Sequence, residues 1–90
     1  MPNRIIKESI CTSDTIDGLS WFEEVFFYRL MVNVDDYGRL DARPAILKAR
    51  MFPLKTNVSE KTIAETLSKL ESAGLLQTYS VNEKPFLALI

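Results

Sequence analysis

The chain has 90 residues, 47% apolar and 26% charged, with a net charge of −1 and a pI near 5.4; this describes one ordinary globular domain with a single modest core. One cysteine, Cys11, and no histidine exclude an internal disulfide, the common zinc sites, Cys–His nucleophile pairs and Ser–His–Asp triads. No apolar run approaches the roughly 18 residues of a membrane span, and the N-terminus lacks the pattern of a signal peptide, so the expectation is a cytoplasmic, non-enzymatic protein without cofactor or metal.

Residues 1–19 read as an N-terminal arm, with "RIIKESIC" a short strand or irregular segment and "TSDTIDGLS" rich in turn formers. Residues 20–90 read as one domain. Ser20 followed by Glu23 is a capping box that opens a helix. Ten of the fourteen residues from Trp21 to Val34 are apolar, and at helical spacing they cover nearly the whole circumference. Such a helix is buried on more than one side. Either it is a core helix wrapped by the other elements, or it uses Trp21, Phe27, Tyr28 and Met31 for self-association.

Asp35, Asp36 and Gly38 give a turn, and "GRLDA" a short extended piece. Asp41 or Ala42 precedes a second helix, where Pro44 is tolerated in the first turn. Ile46, Leu47 and Met51 are expected in the core, Lys48 and Arg50 outside, and Pro53 ends the helix. After the connector "LKTN", Ser59 caps a third helix, Glu60 to Ala73, which Gly74 stops. Its apolar stripe is Ile63, Ala64, Leu67 and Leu70, leaving Lys61, Thr62, Glu65, Ser68 and Lys69 exposed. "LLQTYSV" and "PFLALI" flank "NEK" as a hairpin. The fold class is mainly α with a small β-hairpin (α+β), in the element order of a winged helix-turn-helix. The apolar alternation "KPFLALI" breaks off at Ile90, which suggests a fragment of a longer protein.

Charge is unevenly distributed. From Arg39 to Lys61 there are six basic residues (Arg39, Arg43, Lys48, Arg50, Lys55, Lys61) against two acidic ones, Asp41 and Glu60. Phosphates reward local rather than total charge, so Arg43, Lys48, Arg50, Lys55 and Lys61 are expected to form one continuous patch. Asn57, Ser59, Thr62, Glu65 and Lys69, in and before the third helix, complete the candidate DNA-binding set, with Lys84 in the hairpin. Glu65 can accept a hydrogen bond from a cytosine amino group or pair with Lys69 at i, i+4. Tyr37 and Tyr79 are candidates for base stacking, with core or hairpin packing as the alternative. The acidic pI and the apolar first helix support another reading, a protein-interaction module without DNA binding.

Three stretches, "RIIKESICTSDTIDGLS", "FFYRLMVNVDDYGRLDARPAILKARMFPLK" and "AGLLQTYSVNEKPFLAL", together resemble the N-terminal domain of phage and prophage replisome organisers from Gram-positive bacteria, proteins related in design to the DnaD primosome proteins. The resemblance covers essentially the whole chain, and "DDYGRLDARP" is its most distinctive part. It implies a winged-helix domain at the start of a longer replication-initiation protein in the host cytoplasm. Such proteins bind double-stranded origin DNA, form homo-oligomers and help bring in the replicative helicase or its loader, often through a separate C-terminal domain. One departure is the connector from Phe52 to Val58, longer than the three- or four-residue turn of a standard helix-turn-helix; contacts of compact repressors are therefore not carried over.

Overall fold

In the computed structural model, residues 8–90 are described. The part of the expected arm that falls within them is ordered as local helix. A 3-10 turn, Glu8–Thr12, leads into a single helical turn, α1 (Asp14–Asp17), whose N-cap Ser13 accepts from the Ile16 amide and whose Ile16 is buried. "RIIK" lies outside the described residues.

The next helix, α2 (Trp21–Asn33), opens on a complete capping box. The Glu23 amide donates to Ser20 Oγ at 3.2 Å, and the Ser20 amide donates to Glu23 Oε1 at 2.8 Å, so two otherwise orphaned donors are satisfied reciprocally. The chain then turns at Asp35, whose carboxylate accepts from the Tyr37 and Arg39 amides. Gly38 adopts φ +76° and is buried against Leu89, a conformation that disfavours any side chain. Strand β1 (Arg39–Asp41) follows, then α3 (Pro44–Met51), whose N-cap is Arg43 rather than Asp41 or Ala42. Asp41 still contributes, since its carboxylate accepts from the Arg43 amide at 2.8 Å.

Helix α4 (Glu60–Ser72) starts at Ser59, whose hydroxyl accepts from the Thr62 amide. At its other end the Leu75 amide donates to the Leu70 carbonyl and the Gly74 amide to the Glu71 carbonyl. With Gly74 at φ +81°, this is a Schellman termination. Strands β2 (Leu76–Val81) and β3 (Lys84–Leu89) form a hairpin whose two-residue turn, Asn82 and Glu83, has φ of +51° and +67°. Positive φ at both central residues is the type I′ pattern, which matches strand twist.

The fold is therefore mixed α+β, with an antiparallel three-stranded sheet in the order β1-β3-β2; this order is compatible with a winged-helix-like topology. Leu40 pairs with Leu87, and Asp41, Phe86 and Tyr79 lie in one row across the three strands. The core gathers Phe26, Leu30 and Val34 with Leu47, Met51 and Phe52, Ile63, Leu67 and Leu70 of α4, and Leu40, Leu76 and Leu87 of the sheet.

Three expectations are corrected. Ala64 is exposed, and Thr66 takes its place on the buried stripe of α4. The Thr66 hydroxyl donates to the Thr62 carbonyl at 2.8 Å, so burial leaves it no unsatisfied group. Ile46 is only half-buried, while Leu47 and Met51 carry the core contact of α3. Finally, α2 is not buried all round: Phe26 and Leu30 are enclosed, but Trp21 is 85% exposed and Val25 and Val32 are exposed. No helix among the described residues is long and apolar enough to cross a membrane.

Candidate nucleic-acid interface

Helix α4 buries Ile63, Thr66, Leu67 and Leu70 and leaves Lys61, Ala64, Glu65, Ser68 and Lys69 exposed. Positions three and four apart lie above one another on a helix, so these residues form a single outward face on which Ala64, Glu65 and Ser68 lie between two lysines. Among the described residues the ion pairs are Arg39–Asp35 and Arg43–Asp41; Glu65 and Lys69 do not pair, although their spacing permits it. Ser59 and Thr62 are committed to the N-cap, with their hydroxyls 3.0 Å apart, and Thr62 is half-buried.

The carboxylate of Glu71 is likewise committed, accepting from the Thr78 amide and hydroxyl, both at 2.8 Å. These bonds hold its pKa below the ordinary glutamate value and fasten the end of α4 to the hairpin. Lys84 lies opposite Val81 at the hairpin tip.

The remaining cations do not share one facet. Arg43 is engaged by Asp41, with Nη2 to Oδ2 at 2.6 Å and Nε within 3.1 Å of both carboxylate oxygens. The Arg43 side chain is the largest cause of the lowered Asp41 pKa, and Asp41 in turn raises that of Arg43. Lys48 and Arg50 are two residues apart on α3, about 200° around the helix axis, so they occupy opposite flanks of the buried Leu47 and Met51.

Lys55 and Asn57 sit elsewhere again, in a groove of about 410 Å3 against α2. Trp21, Phe22, Val25 and Arg29 form one wall of this groove. Phe52, Lys55, Asn57 and Val58 form the other. The structure thus brings Lys55 and Asn57 together with Trp21, and brings Lys61, Glu65 and Lys69 together on α4.

Of the other apolar candidates on α2, Phe27 packs against the core and Tyr28 and Met31 are half-buried. The Tyr28 hydroxyl donates to Glu24 Oε2 at 2.6 Å, a bond that pushes its pKa up to about 12. Tyr37 is exposed beside the Arg39 guanidinium, which lies 4.8 Å from its ring centre. Tyr79 stacks on Phe86 at 5.9 Å.

Arg29 lies outside the candidate set that charge and spacing define. It donates from Nη1 to the Met51 carbonyl at 2.8 Å and lies 4.6 Å from the centre of the Phe52 ring. A cation on the last carbonyls of a helix satisfies them and complements the helix dipole, so Arg29 locks α2 to the end of α3. Its one signal is that it is the lone cation in an apolar helix. No group of three or more metal-binding side chains is assembled among the described residues. Comparison with protein-family models, with curated proteins and with solved structures finds no match.

Proposed function

We propose that the chain is a winged-helix domain that binds duplex DNA and self-associates, as the N-terminal part of a phage replication-initiation protein of the replisome-organiser kind. One observation carries this reading. A capped, amphipathic α4 leaves a face of Lys61, Ala64, Glu65, Ser68 and Lys69 uncovered, next to a hairpin joined to β1 in the order β1-β3-β2. That arrangement suits a helix entering the major groove with the hairpin along the neighbouring backbone. Short residues such as Ala64 and Ser68 allow close approach, Lys61 and Lys69 reach phosphates on either side, and Lys84 meets the backbone from the hairpin. Glu65 lies between the two lysines, where a base edge comes within reach.

Self-association belongs to the crest of α2, where Trp21 and Val32 are exposed and Tyr28 and Met31 flank them. The resemblance noted above supports origin DNA as the duplex, a helicase or its loader as a partner of a further C-terminal domain, and the host cytoplasm as the location. A second reading, an interaction module without DNA binding, is favoured by the charges of α4 itself, which has Glu60, Glu65 and Glu71 against Lys61 and Lys69.

Glu65→Gln separates the roles of that residue and tests the readings. If Glu65 reads a cytosine, the variant loses preference at one base pair in a duplex-selection assay. If it faces phosphate, the variant binds every duplex more tightly. Unchanged behaviour on all duplexes, origin sequences included, contradicts DNA recognition by this face.

A further inference from the structure

The groove between α2 and the α3–α4 connector has a chemistry that the DNA-binding reading leaves unused. Among the described residues its charged lining is Arg29 and Lys55, and no carboxylate lines it. The rest of its wall is apolar except for Asn57, and Trp21 stands at its rim 85% exposed. An apolar cleft with a cationic lining selects a ligand that is itself apolar and anionic.

Two classes of macromolecule combine those properties, nucleic acid and acidic peptide. A single strand needs free ring faces on which to stack its bases. The groove offers few: Phe22 and Phe52 stack on each other at 5.4 Å with 21° between their planes. The Arg29 guanidinium also lies over the Phe52 ring, 4.6 Å from its centre. Trp21 is the exposed ring at the groove. What the groove floor accepts is a bulky side chain packed against ring edges and the aliphatic surfaces of Val25 and Val58. The volume of about 410 Å3 has room for one or two such side chains, and the exposed Lys55 lines the same groove.

We infer that this groove is a docking site for a short acidic peptide segment of a partner protein, one or two large apolar side chains flanked by Asp or Glu. The apolar residues fill the cleft beside Trp21, and the carboxylates meet Lys55 and the remaining donors of Arg29. Anchor burial supplies affinity, and charge complementarity supplies specificity. The site is separate from the outward face of α4, so a failure of duplex binding leaves it untouched.

Trp21 is the one tryptophan of the chain, so its fluorescence reports on the groove directly. The probe is a blocked hexapeptide, EDLFDE, titrated into the full chain, with EDAADE and the charge-reversed KKLFKK as controls. Saturable blue-shifted Trp21 emission with EDLFDE alone is the expected result, and Lys55→Glu, at an exposed position that leaves the core intact, weakens it about tenfold or more. The same circular dichroism spectrum for Lys55→Glu confirms that the loss is local. Equal responses to all three peptides, or none up to millimolar concentration, overturn the inference. So does an emission shift on a single-stranded oligonucleotide where the peptide gives none; the titration is run on submicromolar protein, below the range in which the crest of α2 is proposed to self-associate.

Discussion

Glu71 and Asp35 do the same work at opposite edges of the sheet. Each carboxylate accepts a backbone amide that a neighbouring strand would otherwise claim, Glu71 from Thr78 on β2 and Asp35 from Arg39 on β1. Plugging edge donors discourages strand addition. Both carboxyl pKa values are lowered, with the backbone hydrogen bond as the first cause in each. A depressed folded-state value means that the stabilisation is fully present above the ordinary carboxylate range. It is then lost as pH falls through the lowered folded value. In an NMR titration the Thr78 amide resonance is expected to move as Glu71 protonates below the ordinary glutamate range, and to lose that movement in Glu71→Gln. A Thr78 resonance indifferent to acid in the native chain would contradict the bond.

At the scale of elements, the boundaries written in local chemistry were legible in the sequence, while contacts between elements were not. Ser20 with Glu23, Ser59, and Gly74 after its helix are signals contained within a few residues, and each acts as read. Arg29 finds the Met51 carbonyl 22 positions away, and Glu71 finds Thr78 seven positions away; no periodicity encodes either. The exchange of Ala64 for Thr66 on the buried stripe is likewise invisible to apolar spacing, since a threonine hydroxyl becomes apolar in effect only once it donates to its own helix.

The hairpin carries a cost that can be removed. Glu83 holds φ +67°, a region that disfavours residues with a Cβ. Glu83→Gly is expected to raise stability by about 0.5–1 kcal/mol in urea denaturation, after allowing for the greater freedom of glycine in the unfolded chain. A loss of stability would show that the turn relies on the Glu83 side chain. For α2, the exposed Val32 lies on the crest assigned to self-association. Light scattering of the native chain above micromolar concentration is expected to find a species larger than the monomer, and Val32→Lys to return it to monomer. Only monomer from the native chain would remove α2 from that role.

For the whole molecule, the stretch richest in basic residues does not become one basic surface. Folding pairs Arg39 with Asp35 and Arg43 with Asp41, parts Lys48 from Arg50, and turns Lys55 towards α2. The helix order and the hairpin were readable from capping and alternation, but this redistribution depends on how α3 and the connector pack, which charge counting along a chain does not capture. Among the described residues, Lys61 and Lys69 of α4 and Lys84 of the hairpin are the cations proposed to meet phosphates, so duplex binding by the isolated domain is expected to be weak and strongly salt-dependent. The central claim is tested by titrating labelled duplex DNA at several salt concentrations with the native chain and with Lys61→Ala/Lys69→Ala. At about 0.9 per neutralised phosphate, the logarithm of the binding constant should fall against log salt with a slope of about −3 for the native chain and about −1 for the double variant. A native chain that binds no duplex at low salt, or a slope the double variant leaves unchanged, would contradict it.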